Sequence, residues 1–228
     1  NYKHLREGEM KAKFAAAQIE VLLNPANNLA KVEKNVINAS KQSVDLIVFP
    51  EYFVVHPDLL KERKNVSEKF ELIREIQKIA EEYGIFIVGS HPELEGKSLY
   101  NTAFLISDSG KIVGKHRKMF LCFDEPQIFK PGQEVKAIET KLGRIGLLVC
   151  FDSFNSQSSE VMKKLKDQGT EYVLVLIFSL KTDALSIQWI RSALISHSLW
   201  NNFNVVAASN VGDAGELEGR HFKAFGHS

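Results

Sequence analysis

A carboxylate directly follows the apolar segment 45–50. Pro50 cannot donate to a sheet ladder, so the predicted strand ends there and leaves Glu51 at its C-terminal rim, where α/β proteins hold active sites. Burial against Phe49 and Tyr52 would raise the pKa of Glu51 toward neutral pH. Glu51 is therefore a candidate general base, and a solvated glutamate that opens a loop is the alternative.

A cysteine occupies the corresponding place after a second apolar segment, 145–149. Cys150 precedes a predicted helix, whose N-terminal partial positive charge would favour the thiolate that attacks electrophilic carbon. The backbone N–H of Phe151 is in place to point at a developing oxyanion. These features predict a nucleophile, and an inert cysteine that packs as a small hydrophobe is the alternative.

Two further segments carry charge between these sites. Residues 115–118 are four consecutive basic residues, and a cation such as Lys118 near a thiolate lowers the pKa of the thiol and stabilises an oxyanion. The rigid loop 125–132 begins with Glu125, a second carboxylate that would orient Lys118 or a water molecule. The alternatives are a solvated basic face and a solvent-facing loop carboxylate.

The elements that must position these residues alternate between short apolar runs and segments of helical period. Strands are predicted over 14–22, 45–50, 85–90, 136–140, 145–150, 172–178 and 205–209. Helices are predicted over 27–40, 68–83, 156–168 and 183–200, and 100–107 follows 85–90 in the place of a segment of helical period. Runs such as 46–49 and 173–178 are apolar at every position, which is typical of strands covered on both faces. We therefore expect a layered α/β sandwich, in which the irregular segment 110–132 is functional.

The composition excludes several classes of protein. The 29 basic and 28 acidic residues give a net charge of +1 without a long block of one sign, so neither nucleic acid nor an anionic membrane is an expected partner. Cys122 and Cys150 are too few for a disulfide framework, which predicts free thiols and a cytoplasmic location. The apolar runs are far shorter than the roughly 20 residues of a membrane helix. Because ligand clusters, GxGxxG and P-loop motifs are absent from the sequence, we expect no metal or organic cofactor.

In their order and spacing, these segments resemble the nitrilase, or carbon–nitrogen hydrolase, superfamily. The matching motifs are Phe-Pro-Glu at 49–51, His-Arg-Lys at 116–118, a glutamate before Phe-x-Pro-Gly at 125–132, and Gly-x-x-x-Cys-Phe-Asp at 146–152. Ala-Ala-Gln at 16–18, Tyr-Asn-Thr-Ala at 100–103 and Val-Ala-Ala-Ser-Asn at 206–210 extend the likeness over residues 14–228. The resemblance implies that Glu51 is the general base, Lys118 the oxyanion stabiliser, Cys150 the nucleophile and Glu125 the second glutamate, which fixes Lys118.

The same resemblance implies an architecture. We expect a four-layer α-β-β-α sandwich of the nitrilase type, formed by a single carbon–nitrogen hydrolase domain over residues 1–228. The domain is expected to be truncated or disordered at its C-terminus, where family members continue into further strands. A homo-oligomer, a dimer or higher, is also expected.

Departures from the family motifs concern the substrate. Phe151 stands where Tyr or Trp is commoner, and Phe154 stands where omega-amidase-like members carry an Arg for a substrate carboxylate. With Tyr52, these are the expected substrate-binding residues, and they favour an apolar or uncharged acyl group. The predicted reaction is hydrolysis of a small amide, carbamoyl or nitrile substrate through a cysteine thioester, with release of ammonia or an amine. The alternatives are a non-catalytic small-molecule-sensing or scaffold member and a glutaminase module of a larger amidotransferase.

Overall fold

The structure is a computed structural model that describes residues 12–61, 71–180, 185–217, 220–226 and 228. Its strands are β1 (Phe14–Ala16), β2 (Leu46–Val48), β3 (Phe86–Glu95), β4 (Ser98–Ile106), β5 (Ile112–Arg117), β6 (Ala137–Thr140), β7 (Gly143–Val149), β8 (Tyr172–Ile177), β9 (Asn204–Ser209), β10 (Asp213–Leu217) and β11 (Arg220–Lys223). Its helices are α1 (Pro25–Ser40), α2 (Asp58–Lys61), α3 (Glu71–Tyr83), α4 (Glu125–Ile128), α5 (Ser158–Asp167) and α6 (Ser186–Asn201), with a 3-10 turn at Cys150–Ser153.

Two sheets form the centre of the fold. The first has the order β1-β2-β3-β4-β5, in which β1, β2 and β3 are parallel and β4 and β5 are antiparallel additions. The second has the order β6-β7-β8-β9, in which β7, β8 and β9 are parallel and β6 is antiparallel. Strands β10 and β11 form a separate antiparallel hairpin.

Residues that alternate along β2 face two different apolar layers. Leu46 and Val48 belong to the layer between the sheets, with residues of β7 and β8. Ile47 belongs to the layer between the first sheet and helices α1 and α3. Helix α5 packs Met162 and Leu165 on the second sheet. The result is a four-layer α-β-β-α sandwich, which confirms the predicted fold class and explains why the central strands are apolar at every position.

Some elements differ from the predictions. Residues 100–106, expected in the place of a segment of helical period, belong to the strand β4, because they pair along their length with β3. Residues 112–117 of the segment expected to be irregular form the edge strand β5, in which the apolar Ile112 and Val113 are exposed and His116 is buried, so that polarity does not alternate along the strand. The helix predicted over 156–168 corresponds to α5, but the 3-10 turn at Cys150–Ser153, which begins directly after β7, was not predicted. The hairpin β10–β11 was not predicted. The parts of two predicted helices at residues 68–70 and 183–184 lie outside the described residues.

Candidate active site

Glu51 is buried just beyond β2. Its side chain is 1% exposed, and its Oε1 accepts hydrogen bonds from Lys118 Nζ at 2.9 Å and Asn101 Nδ2 at 2.8 Å. Its Oε2 accepts the backbone N–H of Phe178, at the end of β8, at 3.0 Å. Burial raises the pKa of Glu51 against the opposing effect of Lys118, in the direction expected from the sequence. Glu51 is therefore suited to taking up and releasing a proton.

Lys118 follows β5 directly and lies between two carboxylates. Its Nζ is 2.9 Å from Glu51 Oε1 and 2.7 Å from Glu125 Oε2, and its side chain is 1% exposed. Gly132 of the Pro-Gly turn donates its N–H to Lys118 O at 2.7 Å, and a Cβ at position 132 would clash with the carbonyl oxygen of Arg117. Burial disfavours the ammonium, but the surrounding acidic groups raise the pKa of Lys118 well above its ordinary value. Lys118 therefore remains a cation.

Glu125 begins α4 and is largely enclosed, with 13% of its side chain exposed. It accepts hydrogen bonds from Tyr52 OH at 2.5 Å, Cys122 N at 3.0 Å and Asn101 Nδ2 at 3.3 Å. Burial alone would raise the pKa of Glu125, but Lys118 and the Tyr52 hydroxyl bring it below its ordinary value. The environments of the two glutamates thus separate their pKa values, so that Glu125 stays ionised while Glu51 can carry a proton.

Cys150 begins the 3-10 turn and is 7% exposed. Burial raises the pKa of its thiol well above the ordinary value, and Glu51 adds to this effect while Lys118 opposes it. The expectation that a helix N-terminus favours the thiolate is therefore wrong for the free protein, since burial outweighs the nearby positive charge. Cys150 rests as a thiol and needs a base to become a nucleophile.

The backbone is strained around the site. Tyr52, Phe123 and Cys150 have φ angles of 59°, 52° and 46°, in the left-handed region that non-glycine residues rarely adopt. All three line one cavity. Such strain persists only where the surrounding structure holds it, and it is concentrated at functional sites.

Asp152, which sequence reasoning did not select, connects the turn of Cys150 to the segment after Lys118. It is fully buried. Its carboxylate contacts three backbone N–H groups and one imidazole: Met119 N at 2.9 Å, Phe120 N at 2.9 Å, Val149 N at 3.2 Å and His116 Nε2 at 2.9 Å. The aspartate two residues after the cysteine was part of the quoted motif, so the sequence did contain a signal for it.

The four charged or nucleophilic candidates, Glu51, Lys118, Glu125 and Cys150, line one cavity of about 380 Å³. The expected substrate-binding residues Tyr52, Phe151 and Phe154 line the same cavity, together with Phe129, Phe178 and Trp189. Among the lining residues that the structure describes, Lys118 is the one basic side chain. The cavity thus combines aromatic walls with a few polar and charged groups, as small-molecule sites commonly do.

Trp189 and Cys122 are lining residues without an expected role. Trp189 comes from α6 and contacts Phe151 and Phe154 edge to face, with ring centroids 6.3 and 5.4 Å away. Cys122 Sγ lies 3.9 Å from Lys118 Nζ, and burial raises the pKa of its thiol to about 12. Both cysteines are free, as predicted. The tryptophan is on a helix far along the chain, and no local motif indicates that it reaches the pocket.

Within the described ranges, no group of three or more His, Cys, Asp or Glu side chains is arranged to hold a metal ion. In the described part of the chain, no helix has the length and apolar character needed to cross a membrane.

Comparison with known proteins decides the family. The family model described as carbon-nitrogen hydrolase matches residues 13–228. The chain belongs to the carbon–nitrogen hydrolase family. The predicted resemblance to the nitrilase superfamily is thereby confirmed.

Relatives in the carbon–nitrogen hydrolase family differ in their substrates. A nitrilase from Pyrococcus abyssi is 30% identical over 62% of this chain and 56% of its own length. A citrullinase from Francisella tularensis is 29% identical over 66% of this chain and 56% of its own length. An omega-amidase from Xenopus tropicalis is 26% identical over 95% and 80% of the two chains. The chain therefore spans little more than half of the first two relatives.

Solved amidase structures have the same fold. An amidase from Nesterenkonia sp. AN1 superposes with a TM-score of 0.81 over 90% of this chain and 81% of the amidase, at 23% identity. That structure carries acrylamide added to the active-site cysteine of the amidase. At this identity the likeness establishes the α-β-β-α fold of the family and not the substrate.

Proposed function

We propose that the protein hydrolyses the carbon–nitrogen bond of a small, uncharged amide through a thioester on Cys150. The observation that carries this proposal is the position of Lys118 Nζ, 2.9 Å from Glu51 and 2.7 Å from Glu125 in the cavity that Cys150 lines. The same cavity thus holds a cation that can stabilise an oxyanion, a buried thiol that can act as a nucleophile, and a carboxylate of raised pKa that can act as a base.

In the first half-reaction, Glu51 takes the proton of the Cys150 thiol, and the sulfur attacks the amide carbon. The carbonyl oxygen becomes an oxyanion that the Lys118 ammonium and the Phe151 N–H stabilise. Glu51 then gives its proton to the amide nitrogen, because ammonia cannot leave as an anion. The carbon–nitrogen bond breaks, ammonia departs, and the acyl group remains on Cys150 as a thioester.

In the second half-reaction, Glu51 deprotonates a water molecule that attacks the thioester carbon. The thioester carbonyl oxygen becomes a second oxyanion, which Lys118 again stabilises. This intermediate collapses to the carboxylic acid, and the leaving sulfur recovers a proton from Glu51. Glu125 keeps Lys118 in place through both halves by its charge-assisted hydrogen bond. The ionised state of Glu125 suits this role, since a neutral side chain would hold the ammonium less strongly.

The pocket supports an uncharged acyl group. Phe154 is 7% exposed in the cavity wall at the position of the carboxylate-binding arginine of omega-amidase-like members, and the described lining offers no cation besides Lys118. A substrate carboxylate would therefore be desolvated without a partner, at a cost of several kcal/mol. The Nesterenkonia amidase, whose structures include a complex with butyramide, is similar in fold. Short aliphatic amides are the substrate class that these features favour.

The experiment is a measurement of ammonia release from propionamide, butyramide, benzamide and glutaramate, the monoamide of glutarate. Wild type is expected to release ammonia from the neutral amides and to prefer butyramide to glutaramate. Cys150→Ala, Glu51→Gln and Lys118→Ala should each lose activity by at least about 10²-fold. Glu134→Gln, at an exposed glutamate paired with Lys136, is the matched control. Unimpaired release by Cys150→Ala rules out the thioester route.

The location and the assembly stay predictions. A cytoplasmic location is supported by two free cysteines that both line the cavity, where oxidation would block the nucleophile. A homo-oligomer is supported by the exposed apolar side chains of α6, among them Leu199 at 75% and Trp200 at 73% exposure. Sedimentation of wild type and of Trp200→Ser measures the assembly directly.

A further inference from the structure

Asn101, within the segment 100–103 that the family resemblance includes, takes no part in the reaction steps above. It lies in β4 and is 1% exposed. Pairing of β4 with β5 brings it opposite the lysine, and Lys118 N donates to Asn101 O at 2.8 Å. The register of two antiparallel strands thus places this side chain among the acidic groups of the cavity.

The side-chain amide of Asn101 contacts both carboxylates. Its Nδ2 donates to Glu51 Oε1 at 2.8 Å and to Glu125 Oε1 at 3.3 Å. An amide nitrogen has two hydrogens, so both are used. Turning the amide over would point its oxygen at two carboxylate oxygens, and the observed orientation is therefore fixed while the glutamates are ionised.

The acceptor of the same amide is left without a partner. Asn101 Oδ1 is buried and has no hydrogen bond within the described structure. Buried polar atoms are nearly always satisfied, so an orphaned oxygen in a side chain whose two N–H groups are both engaged is unusual. The side chain of Asn101 therefore makes two hydrogen bonds through Nδ2 at the free-energy cost of leaving Oδ1 buried without a partner.

We propose that Asn101 is a positioning residue that holds Glu51 and Glu125 with one neutral amide and keeps the Glu51 carboxylate ready to act as the base. The proposal rests on the proposed function, since it assigns Glu51 that role. A second cation in place of the amide would neutralise the remaining negative charge and hold Glu51 too firmly ionised to return its proton. An amide donates to both carboxylates without adding charge.

Other groups also face Glu51. They are the ammonium of Lys118, the carboxylate of Glu125, the hydroxyl of Tyr52, the thiols of Cys150 and Cys122, and the N–H of Phe178. A substitution at Asn101 leaves all of them in the chain. Any change in the titration of Glu51 then reports the loss of the amide donor.

The experiment measures the pH dependence of alkylation of Cys150 by iodoacetamide, with Cys150 and Cys122 resolved by peptide mass spectrometry. The thiol transfers its proton to Glu51 before it reacts, so the rate falls below the pKa of Glu51. Asn101→Leu, similar in size and without a donor, is expected to move this acid limb upward by about one pH unit. The acid limb of kcat/KM for butyramide should move with it.

A matched control and a second variant complete the design. Thr102→Val removes the hydroxyl of the next residue, which donates to Glu93 outside the cavity at 2.9 Å, and should leave the limb unmoved. Asn101→Val carries the same prediction as Asn101→Leu with a smaller side chain that suits a strand, in case the leucine variant does not fold.

The proposal is overturned if the acid limb of a folded Asn101 variant stays at its wild-type pH while the rate falls equally at all pH values. The side chain of Asn101 would then serve only to fill space. The alkylation readout needs no turnover. A wild-type protein that releases no ammonia therefore refutes the proposed function, while a shifted alkylation limb in the same protein still supports the positioning role.

Discussion

Replacing Glu125 by glutamine removes one of the two negative charges beside Lys118 and nearly preserves the shape of the side chain. Glu51 Oε1 and Glu125 Oε1 each lie 2.9 Å from Lys118 Nζ, so the two oxygens are within about 6 Å of each other. At an effective dielectric constant of about 20, two unit charges at that distance repel by on the order of 3 kcal/mol, or about two pH units.

The sign of the effect follows from the groups around Glu51. Its pKa is raised first by burial and in addition by the charge of Glu125. In Glu125→Gln the second contribution disappears, the pKa of Glu51 falls, and the base stays ionised to lower pH. The acid limb of kcat/KM should therefore move downward by about one to two pH units, the lower value allowing for relaxation of the site. Because Lys118 also loses its ion pair with Glu125, which helps to position the ammonium, kcat should fall by up to about 10²-fold.

The assay is ammonia release from butyramide between about pH 4 and 9 for wild type, Glu125→Gln and the exposed control Glu134→Gln. Circular dichroism at each pH establishes that the proteins are folded. A limb that stays in place or moves to higher pH in Glu125→Gln refutes the charge coupling between the two glutamates. If the acid limb of Glu134→Gln moved by the same amount, the cause would be the change in net charge and not the loss of a charge in the site.

Three further substitutions test the pocket and its support. Phe154→Arg should raise kcat/KM for glutaramate relative to butyramide by about tenfold or more, and an unchanged ratio contradicts the placement of Phe154 in the acyl pocket. Trp189→Ala should raise the benzamide-to-butyramide ratio by about tenfold, because it removes a wall of the cavity; a lower ratio argues against that position. Asp152→Ala leaves three backbone N–H groups without their acceptor and should lower the free energy of unfolding by about 3 kcal/mol or more in urea titrations. The exposed control Asp167→Ala should lower it by less than about 1 kcal/mol. Equal losses in the two variants would show that the three contacts contribute little.

Local patterns predicted a layered α/β sandwich and placed Glu51 and Cys150 at strand ends, whereas the four layers and the roles of these residues were implied by the family resemblance. The segment 46–49 is apolar throughout because β2 is covered on both faces. Pro50 ends the strand, so Glu51 lies at the C-terminal edge of the sheet. Cys150 follows β7 in the same way. Each of these inferences depends on residues that are close in sequence, where hydrophobic pattern and chain-breaking residues determine the structure.

Long-range contacts were not predictable from the sequence. Asn101 reaches Glu51 through the pairing of β4 with β5, and Phe178 reaches it across 127 residues from the end of a strand in the other sheet. Trp189 enters the cavity wall because α6 packs beside the turn of Cys150. Registers and packing angles of this kind are set by the whole core, so no short motif encodes them.

The direction of the pKa shift of the Cys150 thiol was predicted wrongly. The sequence places Cys150 before a helix, which favours the thiolate, but the extent of burial cannot be read from a local segment. In the structure burial is the larger effect, and it raises the pKa of the thiol. The same burial makes Glu51 able to accept the proton, so the error concerns the resting state of Cys150 and not the pairing of the two residues.

The most direct measurement of the central claim is peptide mass spectrometry of the wild-type protein quenched with acid during turnover of butyramide. A butyryl group is expected on the peptide that contains Cys150. It should be absent from Glu51→Gln and Cys150→Ala, which are expected to release no ammonia above background. Turnover with the butyryl group on Cys122 or on any other side chain, or undiminished ammonia release by Cys150→Ala, would contradict the central claim.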